Sequence, residues 1–493
     1  MPPGKLTQSM STQTSTQPLK TQFNWSSLIQ LVLSILAAFL LLGVAAIIVL
    51  TTVIPFFTGG SSSSDPTQPL MVAASLAFAG ALVLPSAWYA WKNIAFPGLE
   101  PISRTEHRTF GLILTILVLA LVGGALLLGN WASQDNRIAW FLLPPLNIIA
   151  TGLPALWLVY IGTRGLIPGF PRRQWGVFAS GLVLGPVIIL VLELILLIVV
   201  GILALLWVML DPSLANQLSG LVFHLQSVAP NTDAILKILV PFLLNPGVLF
   251  LVFAFISVLV PMLEEALKPL GVWFLFGQKI TPAQGFGYGV LSGAGFGLFE
   301  NLGNTSSGSE AWALLASTRI STLLLHCFTA GLVGWALASA WSQRRYLRLG
   351  ITYAIAVLVH GLWNGMAVLS LVPSLQGLPN ISIPTGLQQI GALSSTGIVA
   401  LGALVLVFYI GFNAILRRSV PPMTTPSSGA GQAPDLPGDE PSSLPSDEST
   451  QPPSETSSSL PLPPGDFPQM PENNPQQMPT IDNPPSTTPE TNP

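Results

Sequence analysis

The chain has 493 residues, half of them hydrophobic and only 8% charged, with a mean hydropathy of +0.63. A soluble domain carries about a quarter of its residues charged to cover its surface, so this composition excludes a soluble globular protein. Long apolar runs recur, and about 20 helical residues suffice to cross roughly 30 Å of hydrocarbon. The expected fold is therefore all-α, a polytopic membrane helix bundle of about ten transmembrane helices with a disordered C-terminal tail. A β-barrel would show alternating strands instead. Net charge is −3, but residues 421–493 hold ten of the 21 acids and none of the 18 Lys and Arg residues. The remainder carries a basic excess that fits cytoplasmic loops, and no basic patch interleaved with exposed aromatics suggests a nucleic-acid partner.

Residues 1–25 are rich in Ser, Thr and Gln and read as a disordered cytoplasmic leader. The first apolar run, from about Ser26, is too long for the apolar stretch of a signal peptide, so no cleavable signal is expected. Ten spans are predicted, at about 26–56, 69–91, 110–129, 139–162, 176–209, 246–277, 284–302, 311–341, 351–371 and 388–415. The first five form an N-terminal group over 26–209. The mixed run at 210–245, with His224, Asp233 and Lys237 among leucines, reads as an interfacial or external amphipathic helix. The last five spans form a core over 246–415. From 421 to 493 the chain is acidic and rich in Pro, Ser and Thr, too poor in apolar surface to offset the entropy of ordering.

If the ten spans alternate, fourteen basic residues, from Lys5 and Lys20 to Arg417 and Arg418, fall on one side. Arg137 and Lys237 are left opposite. The expectation is that both termini are cytoplasmic.

Five ionisable residues lie in the later apolar spans: Glu264, Glu265, Glu300, His326 and His360. A charge at bilayer depth costs about 2.5–3.5 kcal/mol on insertion scales, so a set of them on successive helices points to a shared polar cavity. In the sixth span Glu264 precedes Lys268 by four residues and can pair with it. Pro269 has no N–H, which leaves the Glu265 carbonyl without its helical partner and bends the helix. A stabilising ion pair near the interface is the structural alternative. The seventh span carries Gly285, Gly289, Gly293 and Gly297 at a spacing that lets another helix approach closely, and ends at Glu300 and Asn301. By span counting, Glu300 lies toward the external end.

The eighth span places Arg319, Thr322 and His326 on one helical face, with Arg319 able to neutralise a glutamate. Cys327, the sole cysteine, reads as small packing and excludes an internal disulfide. In the ninth span His360 and Asn364 are one turn apart and can aim at one atom, the arrangement that stabilises an oxyanion in acyl transfer. Glu193, mid-span in the fifth helix, has no partner evident in the sequence and is either structural or accessory.

In order and spacing, Glu264-Glu265-Ala-Leu-Lys268, Phe296-Gly-Leu-Phe-Glu300-Asn301, Arg319 with His326, and His360-Gly-Leu-Trp-Asn364 resemble the PrsW family of bacterial intramembrane proteases. That family is similar in turn to the CAAX prenyl protease and bacteriocin-processing superfamily, in which the second motif ends in His where this chain has Glu300. The resemblance covers about 246–370 and leaves the first five spans and the tail outside it. It implies a first cut in a membrane-anchored protein, such as an anti-sigma factor, in a bacterial plasma membrane.

The resemblance also implies Glu265 or Glu264 as the base that activates water. His360 and Asn364 would then bind the oxyanion, with His326 and Glu300 completing the cluster and Lys268 and Arg319 in support. A zinc ion held by residues drawn from Glu265, Glu300, His326 and His360 is one option and a metal-free glutamate mechanism is the other. Two readings of a different kind compete. One is a proton- or cation-coupled transporter using the same residues, although no internal repeat is visible. The other is a non-catalytic membrane scaffold.

Overall fold

A computed structural model describes residues 24–58, 65–96, 108–166, 169–227, 232–307, 311–377 and 383–419. The expected leader over 1–25 lies almost wholly, and the expected tail over 421–493 entirely, outside the described residues. Among the described residues every regular element is helical.

The helices, numbered here in chain order, are α1 (Trp25–Thr58), α2 (Thr67–Ala95), α3 (Arg108–Ala132), α4 (Asn136–Thr163) and α5 (Pro171–Leu210). Then come α6 (Pro212–Ser227), α7 (Thr232–Leu243), α8 (Pro246–Trp273), α9 (Pro282–Thr305), α10 (Trp312–Gln343), α11 (Tyr346–Leu369) and α12 (Thr385–Arg418). A 3-10 turn follows α11 at Val372–Gly377. The single amphipathic helix expected over 210–245 is instead two helices, α6 and α7.

Nine of these helices are long and apolar enough to cross a membrane. The remaining predicted span, the seventh, is α9, a continuous helix of 24 residues whose glycines replace the leucines of a lipid-facing span. It is held inside the bundle, with most of its residues buried, including Phe286, Tyr288, Val290 and Leu298. Its start is fixed by a capping box between Thr281 and Gln284 with Pro282 in the first turn. It packs on α10 and, across its other face, on α5 and α4.

Two helices carry a π-helical bulge, α5 at Ser180–Leu184 and α8 at Phe255–Leu259. Such one-turn bulges accommodate a local insertion and recur at functional sites. The α5 bulge is where α9 comes closest: a Cβ on Gly295 would stand 2.6 Å from the Leu182 nitrogen. The α8 helix ends after the glutamate pair, as Pro269 requires. Its last full turn stops at Leu267, a turn at Pro269 follows, and Leu270–Trp273 is a single further turn. The Trp273 indole donates to the Ala266 carbonyl at 2.9 Å, satisfying one of the carbonyls left open at this helix end.

Buried polar contacts lock the helices where apolar packing against lipid gives little direction. The Trp312 indole donates to Asn147 Oδ1 (3.1 Å), Asn147 donates to Ser75 Oγ (3.3 Å), and Ser75 bonds Ser306 (2.9 Å). This chain joins α10, α4, α2 and α9. At the other end of α4, Tyr409 donates to the Leu158 carbonyl and Asn413 to the Gly162 carbonyl, fastening α12.

Candidate active site

Four helices converge on one polar centre. α8 supplies Glu264, Glu265 and Lys268, α9 supplies Glu300, α10 supplies Arg319 and His326, and α11 supplies His360. Adjacent residues on a helix diverge by about 100°, which argues against a shared partner for the two glutamates. The long Lys268 side chain overcomes this. Its Nζ lies 2.9 Å from Glu264 Oε2 and 2.9 Å from Glu265 Oε1. Lys268 is fully buried, with Nζ 5.1 Å from the Phe296 ring centroid. Ser292 Oγ donates to its backbone carbonyl at 2.6 Å, fixing the turn before Pro269 against α9.

Each histidine is held by a glutamate through one ring nitrogen. His360 Nδ1 is 2.8 Å from Glu265 Oε1, and His326 Nε2 is 2.7 Å from Glu300 Oε2. A carboxylate only accepts, so these contacts place the proton on the nitrogen facing it and leave the other nitrogen with a lone pair. Lys268 Nζ also approaches His360 Nδ1, at 3.2 Å; the shorter carboxylate contact decides the tautomer. The nitrogen left over on His326, Nδ1, is buried and has no hydrogen-bond partner. The nitrogen left over on His360, Nε2, points toward Glu264 Oε2 at 3.8 Å. That oxygen meets Lys268 as an ion pair without hydrogen-bond geometry, and Glu265 Oε2 is likewise buried without a hydrogen-bond partner.

The rings of His326 and His360 stand nearly perpendicular, centroids 5.6 Å apart, with Phe296 edge-on to His326. Glu264, His326 and His360 each offer one donor atom, all within 4.8 Å of one another. Two imidazoles and one carboxylate are a donor set used by catalytic zinc, which leaves a coordination position open. The orphaned nitrogen and oxygen are the atoms such an ion would satisfy, so the residues present fit a divalent cation. The sequence suggests Glu265, Glu300, His326 and His360 as metal ligands; the geometry brings the two histidines together with Glu264 instead. Glu265 and Glu300 each contact one ring nitrogen of a histidine, a contact that supporting carboxylates also make around metal centres.

Arg319 pairs with Glu300 at 2.6 Å and donates through Nε to Asn301 Oδ1 at 2.9 Å, while Asn301 returns a bond to the Arg319 carbonyl. The expected neutralising role of Arg319 is therefore directed at Glu300. Asn364 differs from expectation. Its amide donates to the Ile256 carbonyl (3.2 Å), inside the α8 bulge, and the ring nitrogens of His360 face the two glutamates. The two side chains do not converge on one oxygen, because the bulge exposes a carbonyl that captures the amide. α11 reaches that bulge through Gly361, whose missing Cβ leaves room for the Ser257 carbonyl.

Residues 172–385 match the family model described as PrsW family intramembrane metalloprotease. No curated protein and no solved structure matches the chain. The match begins upstream of the four motifs and takes in α5, so the fifth span belongs with the motif-bearing helices and not outside them. The chain is a multi-pass membrane protein whose residues 172–385 are similar to the PrsW family of intramembrane metalloproteases.

Proposed function

We propose that this centre hydrolyses a peptide bond of a membrane-anchored protein, with a divalent cation held by Glu264, His326 Nδ1 and His360 Nε2. The observation that carries the reading is the paired arrangement of the histidines: one nitrogen of each is fixed by a glutamate, and each histidine offers a ring nitrogen that clusters within 4.8 Å with a Glu264 oxygen. A divalent cation bound there supplies a water ionised near neutral pH and a Lewis acid for the scissile carbonyl oxygen.

The remaining chemistry belongs to the chain. Glu265 and Glu300 hold the imidazoles in the tautomer that leaves a lone pair inward. Lys268 neutralises the glutamate pair and stays protonated between its two carboxylates. Glu265 Oε1 is committed to Lys268 and His360, while Oε2 has no hydrogen-bond partner and is the atom to accept the proton of the attacking water. Arg319 balances Glu300 and, with Asn301, ties the end of α9 to α10. Asn364 holds the α8 bulge.

The substrate would be a single-pass membrane protein in a bacterial plasma membrane, an anti-sigma factor being the type the family resemblance suggests, with both termini of the enzyme cytoplasmic. The test is a pair of variants on the purified full chain. Glu264→Gln should lose zinc and cleavage together. Glu265→Gln should recover zinc when the ion is in excess yet still fail to cleave a reporter. Cleavage by both variants at the wild-type rate would defeat the assignment.

A further inference from the structure

α5 runs along lipid for most of its second half, where Leu190, Val191, Leu194 and Ile195 are exposed, yet it carries a carboxylate at mid-span, Glu193. That stretch packs against the Val260–Leu267 part of α8 and against α9. Glu193 Oε1 is buried and without a hydrogen-bond partner. Glu264 is the side chain that acts most strongly on the Glu193 carboxyl, with Glu300 and Lys268 also close enough to act on its charge. Two ionised carboxylates are both acceptors and cannot satisfy each other. An isolated acid on an apolar helix costs about 2.5–3.5 kcal/mol even by insertion scales.

The charges of the centre give the reason for its presence. Glu193, Glu264, Glu265 and Glu300 face two fixed cations, Lys268 and Arg319. With all four carboxylates ionised and both imidazoles neutral, as ligands must be, the centre is short of two positive charges. One divalent cation supplies both.

Resting on the metal-centre reading above, we propose that Glu193 is a positioning residue of that centre, standing beside Glu264 and raising the affinity for the cation. It binds the ion's field and not the ion itself, since it is outside the three-residue donor set. Outer carboxylates of this kind typically change metal affinity by about 10–100-fold. The same contact anchors the otherwise lipid-facing half of α5 to the helix that bears Glu264 and Glu265.

The test measures zinc affinity of the full chain in detergent by competition with a chromogenic chelator, for the wild type, Glu193→Gln, Glu193→Asp and Glu193→Leu, each checked by thermal unfolding. The expected result is a loss of about 10–100-fold in Glu193→Gln and Glu193→Leu, with most of it restored in Glu193→Asp. A packing role alone would lower the unfolding temperature of the variants and leave the affinity of the folded protein unchanged. Wild-type affinity in Glu193→Gln, where the wild type binds one zinc, overturns the role of Glu193 and leaves the centre standing. No zinc bound by the wild type overturns both.

Discussion

Replacing Gly293 by Ala should damage the centre without touching any of its polar groups. Gly293 in α9 lies against the backbone of His326 in α10. A methyl group there would stand 2.9 Å from the His326 carbonyl carbon and 2.8 Å from Ala330 Cβ, where ordinary contact begins at 3.4 Å. Neither obstacle can rotate away, so the two helices must part by about 0.5–1 Å. The Glu300–His326 contact bridges the same two helices at 2.7 Å, and that separation takes it to roughly 3.2–3.7 Å, beyond a normal hydrogen bond.

Two energies oppose each other in this substitution. Alanine gains about 1 kcal/mol of helix propensity over glycine, and overpacking costs about 1–3 kcal/mol. Because the obstruction is backbone, the cost should prevail and give a net loss of up to about 2 kcal/mol. Gly303, on the same helix, has nothing within 4 Å of its missing Cβ. Gly303→Ala should therefore be neutral or slightly stabilising. Thermal unfolding and zinc affinity in one detergent provide the comparison. If Gly293→Ala matches Gly303→Ala in both, the close approach of α9 and α10 does not set the centre.

Arg319→Gln removes the cation that pairs with Glu300 at 2.6 Å. About a third of the Glu300 side chain is exposed, so the stability loss should be about 1–3 kcal/mol, short of the roughly 3–5 kcal/mol seen when a fully buried pair is broken. Thermal unfolding reads it, and no change would mean the pair is dispensable. Outside the membrane, Asp211 caps α6 by accepting from the Ser213 hydroxyl (2.6 Å) and from the Ser213 and Leu214 backbone (2.9 and 3.3 Å). The Ser213 hydroxyl bond and then the backbone bonds hold its carboxyl below the usual carboxylate range. The folded pKa is depressed, so the cap contributes above the ordinary carboxylate pKa and is lost as pH falls through the depressed one. Amide exchange in Pro212–Ser227, corrected for intrinsic rates, should quicken on acidification in the wild type. It should already be fast and pH-independent in Asp211→Ala.

The helical bundle was legible because apolar length is a strong signal: nine predicted spans reappear as helices of membrane length, shifted by a few residues at their ends. α9 was placed by its flanks and its glycine spacing more than by its hydropathy, since a helix lying inside protein need not be oily. The centre was legible because acids and histidines are conspicuous in apolar sequence. What each one faces was not. The convergence of Glu264 and Glu265 on Lys268 depends on the reach of a lysine side chain. The loss of Asn364 to the Ile256 carbonyl depends on a π-bulge, for which the sequence around Phe255–Leu259 gives no periodic sign. Glu193 reads as an isolated acid because the helix that α5 packs against, α8, is far along the chain. The break between α6 and α7 was likewise hidden in a run whose overall amphipathic character suggested one helix.

The proposed mechanism requires His326 Nδ1, His360 Nε2 and Glu264 to share one cation. X-ray absorption on the zinc-loaded, full-length protein in detergent measures this directly. The predicted result is one zinc per chain with two imidazole nitrogens and carboxylate or water oxygens in its first coordination sphere, and loss of the bound zinc in His326→Ala and His360→Ala. A protein stripped of metal that still cleaves a membrane-anchored reporter at the full rate, or a zinc sphere without imidazole, would contradict it.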